Sequence, residues 1–154
     1  MPSVHRFAFR KNMAMENYEL VKDIIVMYVP AASFPEGISA AFENLENRLP
    51  TEAGRALLGI SWPDKNGKIL YKAAIEEKYR GEGEKYGLDT FTIKKGIYTS
   101  ELIKKYKKDL SQIGATFQKL LKHPELDINS YCLEWYKNSD DVLCLVKLNL
   151  LKKD

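Results

Sequence analysis

The chain has 154 residues, with 24 Lys and Arg against 21 Asp and Glu, and a formal net charge of +3. Hydrophobic residues make up 45% and charged residues 29%, which excludes extended disorder and low-complexity architecture and fits one domain with a real core. No apolar run approaches the ~20 residues that span a bilayer, and residues 1–6 lead into no signal-peptide core, so a cytoplasmic protein with no membrane partner is expected.

The basic residues are dispersed. Lys94-Lys95, Lys104-Lys105, Lys107-Lys108 and Lys152-Lys153 lie far apart in the chain, whereas a nucleic-acid face gathers its charge, so no direct nucleic-acid partner is expected. The two cysteines, Cys132 and Cys144, are expected as reduced thiols.

In chain order, 23–29 is an apolar run rich in β-branched residues and reads as a strand closed by Pro30. Pro35-Glu36-Gly37 opens a helix in which Ile38, Ala41, Phe42, Leu45 and Leu49 share one face, stopped by Pro50. Residues 56–62 form a second strand, 63–67 a turn containing Asn66-Gly67, and 69–79 a third strand. Residues 80–87 read as a solvated connection. Residues 90–93 are a strand, followed by Gly96-Ile97-Tyr98. Thr99 or Ser100 then caps a second helix, with Ile103, Tyr106, Leu110, Ile113, Phe117 and Leu120 on one face and His123-Pro124 at its end. Residues 130–136 and 141–148 are two strands around a turn at Asn138-Ser139-Asp140.

This pattern predicts an α+β fold. Duplicated β-α-β-β units form a mostly antiparallel sheet, with two main helices on one face and a ligand groove on the other. Residues 1–154 would be one domain of two pseudo-symmetric halves, about 16–80 and 88–150. The sheet's second face is bare unless it curves and holds something.

The ordered segments resemble the GyrI-like small-molecule-binding domain, the effector module of multidrug-sensing transcription activators, which also occurs free-standing. Residues 24–49 resemble its first strand, turn and helix, and Leu58-Gly59-Ile60-Ser61-Trp62-Pro63-Asp64 and residues 70–76 its next two strands. Ile93-Lys94-Lys95-Gly96-Ile97-Tyr98 resembles its hydrophobic-x-x-Gly-x-Tyr segment, and Leu133-Glu134-Trp135-Tyr136 the segment carrying its pocket glutamate. About twenty residues precede the first predicted strand, too few for the activators' helix-turn-helix region. The resemblance implies binding of a small lipophilic, cationic aromatic molecule in a cleft between the halves, without direct DNA binding.

Glu134 is the leading candidate. If Leu133 and Trp135 face the helices, Cys132, Glu134 and Tyr136 face the open side. There a carboxylate among rings suits a cationic guest through charge and cation–π attraction; the competing reading is a solvent-facing strand glutamate. Tyr71, Tyr98 and Trp62 are candidate walls with Tyr136, and each could instead be core or surface packing. Of Glu76 and Glu77, adjacent on a strand, at most one can face a groove. His123 suits a helix C-terminus and His5 has no ligand-like neighbour. A turn centred near Ser139-Asp140 places Cys132 opposite about Lys147 and Cys144 opposite about Trp135, which argues against a disulfide. No cofactor or metal is expected: Cys and His lack zinc spacing, and Gly81 to Gly87 misses the dinucleotide fingerprint by one position.

Two other roles fit the same resemblance. One is a hydrolase of reactive electrophilic toxins with Glu134 as general base. The other is an inhibitor of a partner protein, of the gyrase-inhibiting kind, for which the Lys-rich helix face offers a surface.

Overall fold

The β-branched and aromatic runs pair into a single sheet in a computed structural model that describes residues 15–50 and 54–150. The elements are β1 (Glu16–Leu20), β2 (Ile24–Pro30), α1 (Ile38–Arg48), β3 (Leu57–Pro63), β4 (Ile69–Glu76), α2 (Glu82–Lys85), β5 (Asp89–Ile93), β6 (Gly96–Ile103), a 3-10 turn at Tyr106–Lys108, α3 (Ser111–Leu120), β7 (Cys132–Tyr136) and β8 (Val142–Lys147). The sheet order is β1-β6-β8-β7-β3-β4-β2-β5, antiparallel at every pairing. The fold is α+β, with the two longer helices on one face. The β7–β3 pair joins the strands flanking α1 to those flanking α3. No helix among the described residues is long and apolar enough to cross a membrane.

Alternation along the strands divides the core in two. On the helix face, Met27 and Val29 of β2 and Tyr71, Ala73 and Ile75 of β4 pack with Ala41, Leu45 and Leu49 at α1. Ile103, Val142, Cys144 and Val146 pack with Phe117 and Leu120 of α3. The opposite face carries Val26, Leu58, Ile60, Ala74, Ile93, Tyr98, Leu133, Leu143 and Leu145, all buried. Among the described residues no helix covers that side; the sheet curls over it instead. Tyr18 on edge strand β1 meets Trp135 of β7 at 5.9 Å between ring centroids, and Phe91 on edge strand β5 meets Tyr131, just before β7, at 5.3 Å. Each fully buried Leu or Ile is worth roughly 1.5–3 kcal/mol, so the curl turns the second face, expected to be bare unless the sheet curves, into a second core.

Four local expectations change. β1 is not among the predicted strands: its Glu-Asn-Tyr-Glu-Leu composition is polar because it is an edge strand. The second helix begins at Ser111, not Thr99 or Ser100. Residues 96–103 fit a period of two as well as of 3.6, and neighbours on both sides, β1 and β8, decide for strand. Lys105, at φ 54, breaks the chain direction, and Asp109 accepts the Ser111 backbone N–H at 3.1 Å to start α3. The connection 80–87 is not simply solvated. It contains α2, whose Glu82 makes a two-pronged ion pair with Arg55, at 2.8 and 2.7 Å, with side chains 2% and 5% exposed. The third strand ends at Glu76, and Glu77 turns away to accept the Gly83 N–H at 2.9 Å.

The β7–β8 hairpin shifts by one residue from the expected register. Cys132 pairs with Val146 and Cys144 with Glu134, and both cysteines are free. Asn138 Oδ1 accepts the N–H groups of Asp140 and Asp141 and fixes the turn. His123 follows the α3 C-terminus, and its Nδ1 accepts the Glu125 N–H at 3.0 Å. His5 and Lys152-Lys153 lie outside the described residues.

Candidate functional site

α1 packs over β2 and β4, and α3 over β6 and β8. The central pair β3 and β7 runs between them, so its helix-side residues form the floor of an inter-helix groove. The sidedness expected of β7 is inverted. Leu133 belongs to the inner core, with Trp135 packed against it, while Cys132 and Tyr136 pack with the α3 cluster. Glu134 points the same way as these two, toward the helices. The expectation failed because it assumed that the most apolar residues of β7 seek the helices; the curl of the sheet supplied a second apolar environment.

Glu134 is 7% exposed. The Tyr71 hydroxyl donates to its Oε1 at 2.8 Å, and the Tyr136 hydroxyl donates to the same oxygen at 2.5 Å. Tyr71 reaches across β3 because Gly59 lies between the two strands, paired with Ala73 on one side and Glu134 on the other. A Cβ at Gly59 would fall on the Tyr71 hydroxyl and within 2.8 Å of Glu134 Oε1. The glycine is therefore a requirement of this contact.

Aromatic rings cover the cluster. Phe34 stacks on Tyr71 at 5.9 Å. Phe42 of α1 meets Tyr71 edge-on at 6.4 Å and Tyr136 at 6.1 Å. Tyr106 reaches Tyr136 from the other side at 5.5 Å. Burial raises the Glu134 carboxyl above its ordinary range, against the opposing pull of the Tyr136 and Tyr71 hydroxyls. Burial, then the nearby Glu134 charge, pushes the Tyr71 and Tyr136 phenols well up, so both stay proton donors. Cys132, on the same face, has its thiol pushed up to about 11, first by burial and then by Glu134. It is a poor nucleophile there.

A cleft of about 920 Å³ opens beside this cluster. Ile38, Phe42 and Leu57 line one wall, Tyr106, Leu110 and Tyr136 the other, and Arg55, Lys107 and Lys137 stand at its polar margin. Tyr136 and Phe42 belong both to the cleft and to the Glu134 cluster, so the carboxyl sits one layer beneath the cleft wall. On the opposite face a depression of about 610 Å³ is bordered by Trp62, Phe91, Ile128 and Tyr131.

Of the five predicted site residues, the structure brings together Glu134, Tyr71 and Tyr136. Tyr98 and Trp62 lie on the other face. Tyr98 is 1% exposed; its hydroxyl donates to the Lys94 carbonyl at 2.5 Å and lies 3.2 Å from that of Tyr131. Trp62 and Tyr28 flank the Lys72 ammonium, with ring centroids 4.5 and 4.1 Å away. Phe34, Phe42, Tyr106 and Gly59 also belong to the cluster, beyond the predicted residues. Only Gly59 left a local signal, a glycine inside an apolar strand; the rings are recruited by tertiary packing.

No protein-family model and no curated protein sequence matches the chain. Solved structures do. The integron cassette protein VCH_CASS2, from the mobile metagenome of Vibrio cholerae, is 10% identical with a TM-score of 0.64, over 88% of this chain and 96% of that one. SAV2435, solved bound to tetraphenylphosphonium, is 11% identical with a TM-score of 0.62, over 90% and 95%. A hydrolase from Listeria innocua is 9% identical with a TM-score of 0.54, over 92% and 97%. At such identities the likeness speaks for the fold alone. The shared fold is the curled antiparallel α+β sheet described above, and it is consistent with the resemblance read from the sequence.

Proposed function

We propose that this chain is a small-molecule-binding protein that captures a lipophilic aromatic cation between α1 and α3, with Glu134 as the counter-charge. The observation that carries this reading is a buried carboxyl held by two phenols and roofed by Phe34, Phe42 and Tyr106, next to a cleft large enough for a drug-sized guest. Holding an ionised carboxylate out of water costs several kcal/mol unless a cation accompanies it. A desolvated cation over aromatic faces gains roughly 2 kcal/mol or more. The tetraphenylphosphonium bound by the structurally similar SAV2435 supports this class of guest. The guest reaches Glu134 by displacing the Phe42 ring from the cleft wall while Tyr136 stays on the carboxyl. Trp62 and Tyr98 serve the inner core in this reading.

The test is a fluorescence or calorimetric titration with a lipophilic aromatic cation. Glu134→Gln is expected to weaken binding by at least about tenfold, the scale of one charge-assisted contact. Equal affinity in the two proteins removes Glu134 from the site.

A second reading, hydrolysis with Glu134 as general base, is favoured by the raised carboxyl and by the structurally similar hydrolase. Turnover of an electrophilic aromatic ester or epoxide that Glu134→Gln abolishes would select it.

A further inference from the structure

The ion pair that anchors α2 leaves one donor over. The Arg55 side chain is 5% exposed, and its two terminal nitrogens go to Glu82, Nη1 to Oε1 at 2.8 Å and Nη2 to Oε2 at 2.7 Å. Glu82 Oε1 also accepts the Lys78 backbone N–H at 2.8 Å. This end-on fork fixes the plane of the guanidinium. Nε is buried and has no acceptor among the described residues, and the side chain cannot turn to satisfy it without giving up Glu82. A buried N–H left unpaired carries its full desolvation cost. Arg55 lines the cleft and Glu82 does not, so the terminal nitrogens lead away from the cleft, and the stem and Nε form the cleft side of the residue.

Arg55 is also in line with the Glu134 cluster. The β3 ladder extends back to Ala56, whose carbonyl accepts the Glu76 N–H at 3.1 Å, and alternation puts Arg55, Leu57 and Gly59 on one face. Gly59 pairs with Glu134 and Leu57 with Tyr136, so four residues of extended chain, roughly 13 Å, separate the carboxyl from Arg55. Glu82 already balances the Arg55 charge, and Glu43 and Glu46 of α1 line the same cleft, which favours a neutral acceptor over an anion at Nε. From this arrangement we propose that Arg55 is a second reading point in the cleft, selecting aromatic cations whose far end carries a neutral hydrogen-bond acceptor such as a ketone, ester or amide carbonyl. The cation sits at Glu134, the aromatic body runs along Leu57, and the carbonyl oxygen accepts the Arg55 Nε–H. This rests on the cation-binding reading given above and narrows it.

The experiment uses a matched pair, a biphenylmethyl-trimethylammonium with an acetyl group at the far para position and its ethyl counterpart, titrated against the wild-type chain and Arg55→Lys. Wild type is expected to bind the acetyl compound about tenfold more tightly, the scale of one hydrogen bond from a charged donor. The Arg55 Nε–H, labelled with nitrogen-15, is expected to shift downfield with the acetyl compound and not with the ethyl one. Arg55→Lys keeps a cation for Glu82 but has no Nε–H, and is expected to bring the pair to near parity. The wild-type affinities and the Nε–H signal stand without the variant, so a folding defect in Arg55→Lys does not blunt the test. Equal wild-type affinities with an unmoved Nε–H overturn the acceptor proposal and leave the cation reading standing. A preference that Arg55→Lys retains in full also overturns it, because the discriminating contact is then elsewhere. Failure of both compounds to bind the wild-type chain overturns the cation reading and this proposal together.

Discussion

Tyr71 and Tyr98 are both almost fully buried, 2% and 1% exposed, on strands of one sheet, yet their hydroxyls end in opposite situations. On the inner face Tyr98 donates to the Lys94 carbonyl, the Lys94 N–H donates to the Tyr131 oxygen at 3.1 Å, and Tyr131 completes the circuit to Tyr98. Every polar atom there has a partner within the protein, and the circuit ties the β5–β6 turn to the start of β7. On the helix face Tyr71 shares one oxygen of a buried carboxyl with the Tyr136 hydroxyl. Closed networks of neutral groups hold a fold; a buried carboxyl without a cationic partner, pushed up by burial, marks a candidate functional site. The contrast separates a structural tyrosine from a candidate binding tyrosine where sequence alone treats them alike.

Several substitutions break or sharpen this contrast. The largest effect is expected at Gly59→Val, whose side chain collides with the Tyr71 hydroxyl and the Glu134 carboxyl. It should cost about 1–3 kcal/mol in chemical denaturation and abolish cation binding. Gly114→Ala in α3, where an added Cβ meets nothing, should instead be neutral or stabilising by up to about 1 kcal/mol. Tyr98→Phe opens the inner circuit and should cost about 1–2 kcal/mol with cation affinity unchanged; a loss of affinity would show that the two faces are not separate.

The next effect depends on pH. The folded Glu134 carboxyl lies above its ordinary value of 4.5, so between the unfolded and folded values the native chain holds a proton that the unfolded chain releases. Stability should therefore fall as pH rises from about 4.5 through the folded value. Glu134→Gln should remove that slope, melting near wild type in acid and above it at higher pH. A wild-type melting temperature that rises across this window would contradict the assignment. The smallest effect is expected for Tyr136→Phe. Loss of one of the two donors raises the carboxyl further and weakens a permanent cation severalfold at neutral pH, while stability changes by about 1 kcal/mol or less.

Much of this was legible in the sequence. The apolar runs and their turn residues locate six of the eight strands at least in part, and the 3.6-residue pattern of Ile38, Ala41, Leu45 and Leu49 places α1 and its buried side. Glu134 is legible as a lone carboxylate among rings, with Tyr71 and Tyr136 as candidate partners. Sidedness was not legible. Strand alternation says that Leu133 and Glu134 face opposite ways, but which way depends on whether the sheet curls enough to build a second core, a property of Tyr18, Phe91 and the two edge strands acting from a distance. For the same reason Trp62 and Tyr98 could not be separated from Tyr71 by local pattern. The buried Arg55–Glu82 pair also escaped notice, because a Gly- and Glu-rich stretch looks solvated until a partner 27 residues away closes on it.

The central claim, that a guest is received on the helix face at Glu134, is tested most directly by following two reporters in one NMR titration with a lipophilic aromatic cation. These are the Glu134 side-chain carboxyl, labelled with carbon-13, and the Trp62 indole N–H on the opposite face. The account predicts that the Glu134 carboxyl shifts to its ionised position as the cation binds while the Trp62 signal stays in place. Saturation that moves Trp62 and leaves the Glu134 carboxyl unchanged would contradict it.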